Sequence, residues 1–421
     1  MNNAKLPNTS RLVATTFLMV MGCGAIASED NAVPIRDAGP LQADATNPEI
    51  AKLRGMGPEG LKIALSRYDK LPEGAAKKAQ GLTVDAVAQQ RYATSSRLYW
   101  HTNIEEAKAA ASSSGRPILS LRLLGRLDED YSCANSRMFR TVLYANQMVS
   151  NYMRENFVLH WSSEREVPKV TIDFGQGRVM KSTIAGNSAH YILASDGTPV
   201  DVIPGLYSPK AFVQALEPGR AIAAQWSQSR RPSDEEIAAF RSGRLDEEAR
   251  AFGRLSDKQR AVLLPYRRNA GVADIVAAEL LTVSKMAVEL PTVGSLTQAP
   301  MNPATVRDSV LAGEDFDASS RALIVSMGPT DWGLHPKSLQ GDALEKMLDE
   351  LKLRVAGDTL INQHGLHLQI YRLMLESPEL SFDELNAKIY SDIFVTPADD
   401  PWLGLAQPTG FTGLPSDGLS D

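Results

Sequence analysis

The alternation of apolar and polar positions is most informative between Pro117 and Ser136. Ile118-Leu119-Ser120-Leu121-Arg122-Leu123-Leu124 is an apolar run of strand length, flanked by a glycine and a proline on one side and a polar loop on the other, and it predicts a buried strand. Asp128, Glu129 and Asp130 lie in the loop, and Cys133-Ala134-Asn135-Ser136 then opens a helix on which Met138, Val142 and Leu143 share one face. Upstream, Asn103 followed by Glu105, Glu106 and a run of alanines predicts an N-capped helix that Gly115 and Pro117 end. Downstream, Met148, Val149, Tyr152, Met153 and Phe157 recur at helical spacing, and Val158-Leu159-His160-Trp161 reads as a second strand.

The pattern then shifts to strands. Residues 167–184 predict a hairpin around Gly175-Gln176-Gly177. Residues 186–197 predict a strand ending in an Asp196-Gly197 turn, with Asp201-Val202-Ile203 as its partner, and Ser208-Pro209 cap a helix running to about Leu216. Residues 48–98 form a helical preface, with one helix from Pro58 towards Tyr68 and another over Thr83 to Ser95. Residues 225–410 are almost wholly helical in pattern. Ser233-Asp234-Glu235-Glu236 and Ser381-Phe382-Asp383-Glu384 are capping boxes, and Phe382, Leu385, Ile389 and Ile393 make an apolar stripe. Residues 271–290 and 341–355 predict further helices, with Pro- and Gly-rich breaks at 291–303 and 328–336 and a loose tail at 411–421.

Composition narrows the class. The 421 residues are 43% hydrophobic and 22% charged, ordinary for a folded soluble body, and the net charge of −6 without a basic stripe argues against a nucleic-acid partner. No nucleophile elbow, His-Glu metal motif or P-loop is present, which leaves a hydrolase reading without support. After the leader no stretch is long and apolar enough for a membrane-spanning helix.

The leader itself has the plan of an export signal. Lys5 and Arg11 precede a short apolar segment, Leu12 to Met21, that is too short to span a bilayer. Val20-Met21-Gly22-Cys23 resembles the lipobox of bacterial lipoproteins, which implies cleavage after residue 22, lipidation of Cys23 and a mature charge of −6 − 2 = −8. Ala25-Ile26-Ala27 offers an ordinary signal-peptidase site instead. Residues 23–47 read as an extended tether. The expectation is an exported, envelope-associated protein held at a membrane by lipidated Cys23.

Only one other cysteine exists, Cys133. A cysteine at the first turn of a helix after a buried strand is the layout used in thiol-redox chemistry, because the positive end of the helix favours thiolate. The order helix, Gly-Arg-Pro, apolar strand, cysteine-bearing helix, Met148-to-Phe157 helix and strand, then Gly186–Gly197, resembles the thioredoxin-like superfamily over roughly Tyr99 to Ala224. That resemblance implies a central mixed sheet flanked by helices over 99–224, ahead of the helical region at 225–410. It also implies catalytic roles for Cys133 and, in the resolving position, Ser136. The departures are equally specific. Ser136 stands where the family carries its second cysteine, the loop acids oppose the helix dipole, Ser188-Ala189 stand where the family has a cis-proline facing the cysteine, and the hairpin at 167–184 is extra.

Cys-x-x-Ser cannot release a trapped mixed disulfide from within the chain, because the second thiolate is missing. Cys133 therefore has three readings: a monothiol site exchanging with a protein thiol or disulfide, a buried structural cysteine, or a metal ligand, for which no His or Cys stands at ligand spacing. Ser136 has a plainer reading as a first-turn residue whose hydroxyl serves the backbone. His364 and His367, three apart, read as solvated or core-satisfied rather than as ligands, and no cofactor is expected. Trp402, Leu403 and Leu405 after Asp399-Asp400-Pro401 anchor the tail or form a recognition surface. Two functions follow: an envelope protein doing monothiol exchange through Cys133, or a non-catalytic scaffold whose helical half contacts a partner.

Overall fold

The computed structural model describes residues 47–184, 186–228, 232–267, 315–327, 341–397 and 399. The leader with Cys23, the helix expected over 271–290, both Pro- and Gly-rich breaks, Trp402, Leu403, Leu405 and the tail lie outside these residues. Six strands are described: β1 (Ile118–Leu124), β2 (Val158–Arg165), β3 (Lys169–Asp173), β4 (Val179–Thr183), β5 (Ala189–Leu193) and β6 (Pro199–Pro204). They make one four-stranded sheet in the order β2-β1-β5-β6 and a separate β3-β4 hairpin.

β1 is central because its sequence allows nothing else. It is apolar on both faces, and every position but Arg122 is buried. β1 pairs in parallel with β2, Ile118 opposite Val158, and antiparallel with β5, Ser120 opposite Tyr191; β5 pairs antiparallel with β6. Parallel neighbours need a long crossover. Here it consists of the loop at 125–132, a short helix (Ala134–Met138) continued by a π-helical turn (Phe139–Leu143), and the helix Gln147–Asn156, N-capped by Asn146.

Helix Ile104–Ser114 begins as its sequence predicts, with the Asn103 side chain accepting from the Glu105 and Glu106 amides, and ends at Gly115 in the left-handed region. The preface differs from expectation. Its helix spans Ala75–Ala88 rather than 83–95, and a short helix, Ala93–Ser96, follows. The break falls at Gln89, whose backbone turns left-handed while its carbonyl accepts from Trp161 Nε1 at 2.8 Å. A tertiary contact ends this helix where the local pattern would have carried it on. The helix after β6 is also longer than expected, Pro209–Gln228, and passes through Pro218.

The faces of the sheet are covered by segments of different origin. His190 and Tyr191, adjacent on β5, point to opposite sides. His190 meets Phe139 and Phe212, from the crossover and the Pro209–Gln228 helix, with ring centroids 4.7 and 4.9 Å away. Tyr191 meets Phe382 at 5.0 Å, and its hydroxyl donates to Asn386 Oδ1 at 2.8 Å. Phe382 and Asn386 belong to the helix Phe382–Lys388, opened by the Ser381 capping box as expected. Leu385, Ile389 and Ile393 of the predicted stripe are buried. One hydrophobic core runs from β1 and β5 into the C-terminal helices, while Leu61, Ala64, Val84 and Val87 of the preface form a satellite cluster.

Candidate functional site: the Cys133 pocket

Cys133 caps the Ala134–Met138 helix, and its amide donates to the Leu124 carbonyl at 3.2 Å, so the end of β1 fixes where the side chain sits. The residue has no solvent exposure. Its Sγ lies 3.0 Å from Ser136 Oγ and 3.0 Å from Ser188 Oγ. The hydroxyl of Ser136 thus turns to the thiol, and not to the backbone as the sequence suggested. Ser188, immediately before β5, faces the sulfur.

The remaining wall is steric. Gly186 has φ +91°, a conformation open to glycine, and a Cβ there would stand 2.8 Å from Leu124 Cδ1 and 3.1 Å from Cys133 Cβ. Asn187 ties the same segment down twice: Asn135 Nδ2 donates to its side chain, and Tyr390 from the C-terminal helices donates to its carbonyl at 3.2 Å. Tyr390 is itself buried. Gly186, Asn187 and Tyr390 thus belong to the chain's own packing around the buried sulfur.

The loop acids do not act on the thiol as loose negative charges. Asp128 accepts from Arg126 at 2.9 and 2.7 Å, Glu129 pairs with Arg126 at 3.2 Å, and Asp130 pairs with Arg91 at 3.0 Å and accepts from the Tyr92 hydroxyl at 3.0 Å. Burial would raise the Asp130 carboxyl, but the Arg91 hydrogen bond and charge outweigh it and hold the group below the usual range. Arg91 also pairs with Asp85 at 2.7 Å, whose carboxyl burial lifts to about 6. Behind the loop, buried Arg140 donates to the carbonyls of Leu127 (3.1 Å), Glu129 and Asp130 (3.3 Å) and to Ser132 Oγ (3.1 Å). Burial lowers its guanidinium to about 10, which leaves it charged at neutral pH. The preface, which showed no chemistry as sequence, supplies Arg91 and Tyr92 to this clamp.

A second buried polar centre lies where the C-terminal helices meet β6 and the helix Asp234–Gly253. His364 and His367 do not converge. A π-helical turn, Asn362–Leu366, separates their surroundings. His364 Nδ1 meets Glu248 at 2.9 Å, and His367 Nε2 meets Asp201 at 3.1 Å. Arg267 donates to the same Glu248 at 2.7 Å, and the Tyr371 hydroxyl donates to Asp201 at 3.1 Å. Both histidines are core-satisfied. Among the described residues no group of three or more His, Cys, Asp or Glu is arranged to hold a metal ion.

Sequence reasoning found Cys133 and Ser136 and marked the place of Ser188, but missed Gly186, Asn187, Arg140 and Tyr390. Gly186-Asn187 directly ahead of a strand was the available signal for the first two. Nothing local marks Tyr390, which arrives from far along the chain.

These features define an α/β protein with a mixed four-stranded sheet, flanking helices and a helical C-terminal part. Comparison with protein-family models, with curated proteins and with solved structures found no match.

Proposed function

We propose that this chain is an exported, membrane-tethered envelope protein whose thioredoxin-like core serves as a scaffold, with Cys133 as an interior residue rather than a catalytic one. The observation that carries the reading is the closure around the sulfur: no exposure, two serine hydroxyls at 3.0 Å, and Gly186 packed against its Cβ. The thioredoxin-like assignment draws its support from the strand order, from the cysteine at the helix start after the central strand, and from Ser188 opposite it. Export and tethering through lipidated Cys23 draw theirs from the leader sequence alone. The inner surface of the described C-terminal helices is taken by the chain's own sheet, so partner contacts fall to other surfaces.

Monothiol exchange is the second reading, favoured by the placement of Sγ at a helix start facing Ser188. The test is maleimide labelling of full-length protein carrying Cys23→Ser, native and in denaturant. Labelling only after denaturation is the expected result. Native labelling at the rate of a free thiol would overturn the scaffold reading and leave the monothiol one standing.

A further inference from the structure

The preface has a core of its own. Leu61, Ala64, Val84 and Val87 belong to a cluster separate from the main one, so the preface and the body bury their apolar residues on either side of a join. The ties across that join are hydrogen bonds. The Arg91 amide donates to the Leu127 carbonyl at 3.1 Å, Trp161 Nε1 to the Gln89 carbonyl at 2.8 Å, and Trp100 Nε1 to Gln90 Oε1 at 2.8 Å. The Arg91 guanidinium reaches both carboxylate oxygens of Asp130, at 3.0 and 3.2 Å. A polar boundary between two apolar clusters is where a fold opens locally at a cost below that of global unfolding.

The backbone of the join is strained. Gln89, Tyr92 and Arg97 have φ of +55°, +62° and +56°, three of the five non-glycine residues in the left-handed region among the described residues. That conformation costs energy in any residue with a side chain and persists only where neighbours hold it. The neighbour here is Asp85, near the end of the helix Ala75–Ala88. One of its oxygens accepts from the Ala93 amide at 2.8 Å, at the start of the short helix Ala93–Ser96, and the other pairs with Arg91 at 2.7 Å. Asp85 is buried. Burial lifts its carboxyl from the ordinary 3.8 to about 6, although Arg91 and the Ala93 and Tyr92 amides pull it down.

We infer that residues 89–97 form an acid-tightened strap, which opens from the loop at 125–132 while the sheet stays folded, and which uptake of a proton by Asp85 holds shut. The sign follows from burial. In the open strap Asp85 meets water and has its ordinary affinity for protons, whereas the closed strap binds one more tightly, so the closed form gains as pH falls from about 7 towards 4. The groups facing Asp85 and Arg91 keep their charge between pH 7.5 and pH 5. Burial would lower Arg91, but Asp130 and Asp85 outweigh it; Asp130 is held below its usual range; burial raises Tyr92 to about 12 and lowers Arg140, behind the loop, to about 10. His101, just past the strap, faces Arg54 and Glu106, and burial lowers its imidazole, so its exposure on opening would work against closure by acid. When the strap opens, Arg91 and Tyr92 leave Asp130, and Arg140 is left to hold the loop that leads to Cys133. The inference stands on the described body and needs neither export nor thiol chemistry.

The test is hydrogen exchange read by mass spectrometry on full-length protein carrying Cys23→Ser, at pH 7.5 and pH 5, with rates corrected for the intrinsic effect of pH. Peptides over 89–100 and 125–132 are expected to exchange sooner than β1. Their protection is expected to rise about tenfold from pH 7.5 to pH 5, the change that a carboxyl moving from 3.8 to about 6 on closure allows. Asp85→Asn keeps an oxygen for the Ala93 amide and removes the titration, so its rise should be less than about twofold. Protection over 89–100 as high as that of β1 at both pH values overturns the strap. A wild-type rise that is missing, or one that Asp85→Asn retains, overturns the role of Asp85. The wild-type comparison is decisive by itself where the variant does not fold, since His101 would drive the change in the other direction.

Discussion

The molecule has two buried polar centres, and they are built on opposite principles. The pocket around Cys133 is lined by two hydroxyls and an asparagine pair, with Arg140 behind the loop turned to its carbonyls. The seam at β6 is charged, with Asp201 and Glu248 each buried and each holding a histidine plus a tyrosine or an arginine. An isolated buried charge costs several kcal/mol unless paired and hydrogen-bonded, whereas a neutral hydroxyl or thiol costs far less. The chain thus places its carboxylate–histidine pairs where helices from the far end of the sequence must dock, and surrounds the thiol with hydroxyl and amide groups.

The comparison breaks most visibly at the seam. Asp201→Ala strips His367 and Tyr371 of their shared acceptor, and urea unfolding is expected to show a loss of about 3–5 kcal/mol. A loss under about 1 kcal/mol would mean that the seam is not closed to water and that the contrast with the pocket is false.

Acid acts next on the buried histidines of the sheet between the two centres. Burial depresses His160, beneath Ser120, and His190, hydrogen-bonded to Tyr144, to about 3 each. A histidine with a folded pKa below its unfolded value takes up its proton only on unfolding. Stability is therefore whole above about 6.5 and falls as pH drops from there towards 3, by about 1.4 kcal/mol per unit for each histidine. Asp85, raised to about 6, contributes with the opposite sign, favouring the fold as pH falls from 6 towards 4. Denaturant midpoints from pH 7 to pH 4, with His190→Gln for comparison, should show a net decline that the variant makes shallower by up to one proton. An unchanged slope in the variant would remove His190 from the account.

The finest probe is Gly186→Ala. The added methyl meets Leu124 and Cys133 on a backbone with φ +91°, and is expected to cost about 1–3 kcal/mol while making Cys133 reactive to maleimide in the native protein. Full stability with Cys133 still protected would show that the pocket yields easily.

How much of this was legible follows the distance over which each feature acts. β1 runs Ile118–Leu124, as its apolar run predicts, because a strand buried on both faces needs only its own seven residues to declare itself. The hairpin turns at Gly175-Gln176-Gly177 and the Ser233 and Ser381 caps form for the same local reason. Cys133 and Ser136 could be found because a helix start is a local event. Whether the thiol reaches solvent could not, since that depends on Gly186, Ser188 and Tyr390, which the sequence holds far from it.

The sequence by itself determined the strands, the caps, the cysteine's place at a helix start and the absence of a second thiol in the described body. These are matters of periodicity, backbone preference and residue identity. Only the tertiary structure decided that the preface helix stops at Ala88, that Arg91 neutralises Asp130, that His364 and His367 part company, and that a C-terminal tyrosine closes the pocket. Each of those outcomes is a pairing between groups whose cost of burial can be met only by a partner, and the partner's distance along the chain leaves no trace in the local pattern.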